Sequence, residues 1–171
     1  MWKLRLIRAG GVAAVLAGML RGLASVVPAT TARIMLLYLL IDVLLFFASI
    51  GLYAFVRDEI GLAGGSGVLL EVFGALILIA RDLRILADSI YPLGALMFAV
   101  GLDLFAIGSW RLKKFPRWAL LVLIVSTLIG PIGFFVQGLE VLFLASGLLF
   151  GIGLVGAGIT ILLRRGAVDD A

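Results

Sequence analysis

The stretch that decides the fold is Arg111-Leu112-Lys113-Lys114-Phe115-Pro116-Arg117-Trp118. Four basic residues fall within seven positions there, and a long apolar run lies on each side of it. Short basic loops of helical membrane proteins face the cytoplasm, because Lys and Arg resist translocation across the bilayer. If the two flanking runs cross a bilayer, this loop marks the cytoplasmic side, and every other loop can be assigned by counting from it.

The composition predicts an all-α, polytopic membrane protein. Of 171 residues, 64% are hydrophobic and 14% are charged, and the mean hydropathy is +1.28. A soluble domain has roughly 45–50% apolar and about 25% charged residues. The apolar fraction exceeds what a soluble core of this length could bury, and several runs reach the ~20 residues that a membrane-spanning helix needs.

Six apolar runs predict one domain of six transmembrane helices, arranged as three helical hairpins. The predicted spans are 9–27, 34–56, 61–80, 91–110, 118–136 and 139–163. An alternative for the basic and apolar start is a cleaved signal peptide, which Arg21 disfavours because it interrupts the region before a cleavage site. An even number of spans places both termini on one side of the membrane.

The distribution of basic residues predicts that both termini are cytoplasmic, in an inner membrane. Ten basic residues fall on the side of the basic loop: Lys3, Arg5, Arg8, Arg57, Arg111, Lys113, Lys114, Arg117, Arg164 and Arg165. Three fall on the other side: Arg33, Arg81 and Arg84. We expect a lipid-facing anchor at the cytoplasmic headgroups, where tryptophan rings and basic side chains are favoured. It comprises Trp110, Arg111, Lys113, Lys114, Arg117 and Trp118.

Two residue types that carry much of enzyme chemistry are missing. The chain has no Cys and no His, which excludes thiolate nucleophiles, structural disulfides and histidine-ligated metals or haem. Residues 151–157 match the letters of a dinucleotide-binding fingerprint, but they lie in mid-span, where the required strand and loop cannot form. The sequence predicts no catalytic residues, no cofactor, no metal and no nucleic-acid partner.

Four charged residues are predicted to lie inside the membrane, where each costs about 2.5–3.5 kcal/mol at a helix centre. They are Arg21, Asp42, Glu71 and Asp103. Counted from the outer ends of their spans, they lie about 9, 12, 14 and 18 Å deep, in that order. One polar layer could therefore hold all four, as a possible proton or cation site. Arg21 and Asp42 are on adjacent spans and are expected to pair.

Glu71 and Asp103 leave two acids without a base in that layer. We expect at least one of them to be protonated at neutral pH, or to lie beside a cation or a water cavity. The alternative is structural, since polar side chains inside helical bundles often form interhelical hydrogen bonds.

Local patterns predict three further features. Gly10, Ala14, Gly18 and Gly22 recur at four-residue spacing, as do Gly147 and Gly151, and such small residues let helices pack closely within the bundle or between protomers. The alternation of charged and apolar residues over 81–89 predicts a short helix in the outer interface. Gly130-Pro131 predicts a kink in the fifth span.

The second and fourth spans share a pattern, Phe47-Ala48-Ser49-Ile50-Gly51-Leu52-Tyr53 beside Phe105-Ala106-Ile107-Gly108-Ser109-Trp110. A glycine-rich span, a short basic loop with Phe115-Pro116-Arg117-Trp118 and a further span resembles uncharacterised bacterial multi-pass membrane proteins built from helical hairpins. The resemblance covers about the last 80 residues. It implies the hairpin architecture and no activity.

The sequence favours a small inner-membrane protein without its own catalysis, acting as an accessory or scaffold subunit. Its expected partners are the lipid bilayer, other membrane subunits or a second copy. The alternative is a proton- or cation-coupled transporter or channel component in which Glu71 and Asp103 titrate. A membrane enzyme ranks third, because only carboxylates would be available to it.

Overall fold

The computed structural model of the protein describes residues 2–26 and 31–164, without the side chains of residues 31–34. These residues form six α-helices, one short 3-10 helix at Asp88–Ile90 and turns, with no strand among them. The helices are α1 (Trp2–Val26), α2 (Thr31–Val56), α3 (Gly61–Asp82), α4 (Tyr91–Trp110), α5 (Arg117–Phe135) and α6 (Glu140–Leu163). Val27, the expected end of the first span, and Arg165, counted in the basic excess, lie outside the described residues.

All six helices have the length and apolar composition of membrane spans. They run from 19 residues in α5 to 26 in α2, or about 28 to 39 Å, against a hydrocarbon layer of about 30 Å. Many large apolar side chains point outward, among them Leu36, Leu69 and Leu128. A membrane protein presents such a surface to lipid, so the prediction of an all-α, multi-pass chain is confirmed.

Helix α1 is longer than expected, because it begins at Trp2 rather than near residue 9. Hydropathy marks only the part of a helix that lies in hydrocarbon. Lys3, Arg5 and Arg8 are good helix formers, and they continue the helix past the apolar run.

The predicted interfacial helix over 81–89 is wrong. Helix α3 continues to Asp82, and the chain turns away from it at Arg84, whose φ is 58°. The Arg84 N–H donates to the Arg81 carbonyl at 2.8 Å, and the Ile85 N–H donates to the Ala80 carbonyl at 2.8 Å. These two bonds form a Schellman motif, which usually has Gly at the left-handed position. Because Arg84 rather than a glycine occupies this position, the sequence does not indicate that the helix ends here.

Each helix packs on the next one along the chain, and α1 also packs extensively on α6, so the six helices close into a ring. The core between them is built from Leu, Ile, Phe and Ala. Its largest fully buried apolar side chains are Phe105, Ile41, Leu52, Leu102, Leu120, Leu123, Leu154 and Val56.

Glycines allow the closest helix pairs to approach. A Cβ added at Gly67 of α3 would lie 2.6 Å from the Gly101 carbonyl oxygen of α4. A Cβ added at Gly18 of α1 would lie 2.6 Å from the Gly151 carbonyl oxygen of α6. The packing role predicted for Gly18 and Gly151 is therefore confirmed, and it is fulfilled inside the bundle.

Helix α5 continues through Pro131 to Phe135. Proline has no N–H, so the Thr127 carbonyl four residues earlier has no helical donor. The kink expected at Gly130-Pro131 stays a prediction.

Candidate functional site

Polar side chains from four α-helices and the 3-10 helix meet at the end of the bundle where α3 stops. We call this group the Arg81 cluster, and its members are Arg21, Tyr38, Asp42, Arg81, Asp82, Asp88 and Tyr91. It contains two of the four residues that the sequence predicted in an intramembrane polar layer. The other two, Glu71 and Asp103, lie elsewhere.

Arg81 is the centre of this cluster. Its guanidinium donates to Asp82 at 2.8 Å and to Asp88 at 2.9 Å, and it lies 5.2 Å from the centre of the Tyr91 ring. Asp82 is only 3% exposed, and within the described residues its Oδ2 has no hydrogen-bond partner. Arg81 thus ties the end of α3 to the 3-10 helix and to the start of α4.

Arg21 and Asp42 are neighbours in this cluster, but they do not form the expected ion pair. No ion pair within the described residues joins them. The Arg21 guanidinium lies instead 5.6 Å from the Tyr38 ring and 5.8 Å from the Phe143 ring. Aromatic faces can hold a cation in this way at a gain of about 0.5–2 kcal/mol. The Asp42 carboxyl faces that of Asp82, with Arg21 and Arg81 nearby.

Glu71 belongs to α3, contacts α2 and α4, and is 1% exposed. The Ser49 hydroxyl of α2 faces its carboxyl group, while Ser49 donates to the Leu45 carbonyl at 3.0 Å. Within the described residues, the Glu71 Oε1 atom has no hydrogen-bond partner. Gly101 makes room for this side chain, because a Cβ there would lie 3.0 Å from the Glu71 Cγ.

Asp103 lies on a different side of α4 from Glu71. Its Oδ1 accepts a 2.6 Å hydrogen bond from the Thr127 hydroxyl of α5. Gly101, which contacts Glu71, is two residues before Asp103, a rotation of about 200° around the helix. The structure therefore does not bring Glu71 and Asp103 together. The expected protonation of one of them stays a prediction.

The opposite end of the bundle carries the predicted lipid-facing anchor. Lys114 pairs with Glu59 at 2.7 Å, Lys3 pairs with Asp58 at 2.8 Å, and Arg164 donates to the Lys113 carbonyl at 2.9 Å. These contacts bring the first turn of α1 and the end of α6 to the same end as the turns at 57–60 and 111–116.

The anchor residues that form no ion pair among the described residues lie mostly at the surface. Arg111, Lys113, Arg117 and Trp118 are exposed, and Trp110 is partly buried. The hydrogen bond from Lys3 lowers the pKa of the exposed Asp58 carboxyl below its ordinary value.

Two apolar grooves run along the sides of the bundle. The first, of about 890 Å³, lies between α1, α5 and α6, and Gly22, Trp118, Ile152 and Thr160 are among its lining residues. The second, of about 750 Å³, lies between α2 and α3, and Tyr53, Leu62 and Gly65 are among its lining residues. Neither groove is lined by any of the four predicted intramembrane charges.

Sequence reasoning missed Asp82, Tyr38 and Tyr91. Asp82 could have been found, because it follows Glu71 by eleven residues, about three helical turns, and so shares its buried face. The two tyrosines are near span ends, where aromatic residues are common for interfacial reasons.

Comparisons of the chain with protein-family models, with curated proteins and with solved structures gave no match.

Proposed function

We propose that the protein is an accessory or scaffold subunit of an inner-membrane complex, without catalytic chemistry of its own. In this proposal the helices form three hairpins, and both termini face the cytoplasm. The single observation that best supports the role is the separation of the buried polar groups. The Asp103–Thr127 bond lies at the α4–α5 contact and the Glu71–Ser49 contact lies at the α2–α3 contact. The Arg81 cluster lies about 16 Å further along α3, and no side-chain hydrogen bond of the described residues links the three groups.

Each of these polar contacts joins different helices. Arg81 ties α3 to α4, Glu71 faces Ser49 of α2, and Asp103 accepts from Thr127 of α5. Interhelical polar contacts of this kind contribute about 0.6–2 kcal/mol each and fix which helices are neighbours. They suit a protein whose task is to present a defined lateral surface.

Native purification in a mild detergent tests this role. We expect the protein to elute with at least one other membrane protein, at a mass well above that of one 18.2 kDa chain plus detergent. The matched control is the same preparation after a harsher detergent, which should release the single chain. Elution of the single chain alone from the mild detergent would contradict the proposal.

A proton- or cation-coupled transporter is the second candidate. The unpartnered carboxyl oxygens of Glu71 and Asp82 favour it, because buried polar atoms without partners often take part in function. In liposomes, this alternative predicts a proton-dependent flux that Glu71→Gln and Asp103→Asn abolish and that Thr160→Val leaves intact. The accessory role predicts no protein-dependent flux.

A further inference from the structure

We propose that the groove between α1, α5 and α6 binds one acyl chain of an anionic phospholipid, whose headgroup lies on the exposed basic residues of the 111–117 turn. The proposal rests on the cytoplasmic placement of that turn and does not require an accessory role. The occupant follows from the shape of the groove and from the charge at its mouth.

The groove begins at the basic end of the bundle. Pro116 and Trp118, at the start of α5, line it together with Gly156 and Thr160 of α6. Thr160 is three residues from the end of α6, so this part of the groove opens at headgroup depth. Along α6 the lining runs from Thr160 to Leu148, twelve residues or about 18 Å, which is slightly more than the depth of one leaflet.

The charge at the mouth favours an anion. Arg111, Lys113 and Arg117 are exposed, and no carboxylate of the described residues pairs with them. Trp118 is 52% exposed beside them, and its ring suits the headgroup level. The cytoplasmic leaflet supplies anionic lipids, and each nearby Lys or Arg strengthens their binding by about fivefold.

The groove between α2 and α3 provides an internal comparison. It also starts at the basic end, with Gly61 and Leu62, but the adjacent turn carries Asp58 and Glu59. Those two acids pair with Lys3, Arg57 and Lys114, which leaves a net charge of +1 there, against three unpaired cations at the first groove. This groove should accept acyl chains with a weaker preference for anionic lipids.

Tryptophan quenching by brominated lipids distinguishes the two grooves. The first protein carries Trp2→Phe and Trp110→Phe, which leaves Trp118 as the reporter. The second carries Trp2→Phe, Trp110→Phe, Trp118→Phe and Leu62→Trp, which places the reporter in the other groove, where Leu62 is 95% exposed. Both are reconstituted in vesicles of phosphatidylcholine and phosphatidylglycerol, with one lipid brominated on the upper acyl chain.

We expect the ratio of phosphatidylglycerol to phosphatidylcholine association to be at least about fivefold greater at Trp118 than at the Leu62→Trp reporter. Arg111→Gln, Lys113→Gln and Arg117→Gln together should bring the Trp118 ratio to about one. Thr160→Phe should reduce quenching of Trp118, because the ring fills the groove. Gly22→Leu should not reduce it, since it fills the far part of the groove, where an added Cβ meets only Leu148 at 3.9 Å.

Equal quenching of Trp118 by both lipids in the protein with an intact basic turn would overturn the proposal, as would an equal preference at both reporters. If Thr160→Phe fails to fold, the combined variant of Arg111, Lys113 and Arg117 still tests the lipid preference at Trp118. The outcome is independent of the accessory role, because the reconstituted chain is tested without any partner.

Discussion

Glu71 carries a carboxyl group but lies in an almost completely buried site. It is 1% exposed and has a serine hydroxyl as its polar neighbour, with no basic side chain of the described residues in contact with it. A buried carboxylate without a cation costs several kcal/mol. The amide of Gln has almost the same shape and needs no counter-charge.

Glu71→Gln should therefore keep the melting temperature in detergent within a few degrees of that of the unmodified protein, or raise it. Glu71→Ala is the control for sensitivity, because it leaves a cavity and should cost about 2 kcal/mol or more. An equal loss for both variants would mean that the charge itself is needed, for example to hold a bound cation.

Lys3 and Asp58 form an ion pair that makes stability depend on pH. The Lys3 hydrogen bond lowers the pKa of Asp58 below its ordinary value of 3.8. A group whose pKa is lower in the folded state stabilises that state above the unfolded pKa, and this stabilisation is lost as the pH falls through the folded pKa.

The melting temperature of the unmodified protein should therefore exceed that of Asp58→Asn slightly at pH 6. The difference should shrink as the pH falls below about 4. Lys3→Gln removes the same hydrogen bond and should show the same small loss at pH 6. A difference that stays constant down to pH 3 would contradict this assignment.

At the scale of the helix, α3 and α4 approach through glycine. A Cβ at Gly67 would lie 2.6 Å from a carbonyl oxygen of α4, whereas a Cβ at Gly65 would meet nothing within 4 Å. Gly67→Ala should cost about 1–3 kcal/mol through overpacking. Gly65→Ala, two residues away on the same helix, should cost nothing and can gain up to about 1 kcal/mol from helix propensity. Chemical unfolding in mixed micelles measures both, and equal effects would argue against close α3–α4 contact.

The end of α3 is strained at Arg84, which has a φ of 58°. The left-handed conformation costs a non-glycine residue roughly 1–2 kcal/mol. Arg84→Gly should raise the free energy of unfolding by about 1 kcal/mol. Arg84→Ala removes the charge and keeps the Cβ, so it should give no gain. If both variants behaved alike, charge rather than backbone strain would explain the effect.

At the scale of the whole molecule, hydropathy was enough to predict six helices and most of their ends. It failed where a helix end depends on backbone geometry, as at Arg84, or where a helix leaves the hydrocarbon layer, as at Lys3. The polar residues show the same limit. Depth along each span placed Glu71 and Asp103 in one layer, but depth carries no information on rotation. The side of α4 that each one faces depends on helix packing, which a single sequence does not reveal.

The orientation of the bundle in the membrane is the claim on which the proposed role and the lipid site both depend. The chain has no cysteine, so a single introduced cysteine is a clean reporter. Ile85 lies three residues after the end of α3 and is 71% exposed. Glu59 lies in the α2–α3 turn at the basic end, and its side chain is 50% exposed. Glu59→Cys removes an acid and so leaves the basic excess of that end intact.

Labelling with a membrane-impermeant maleimide gives the direct measurement. In intact cells, with the outer membrane made permeable where there is one, Ile85→Cys should react. Glu59→Cys should react only after the inner membrane is opened. Labelling of Glu59→Cys in intact cells, with Ile85→Cys protected, would contradict the cytoplasmic placement of the basic end.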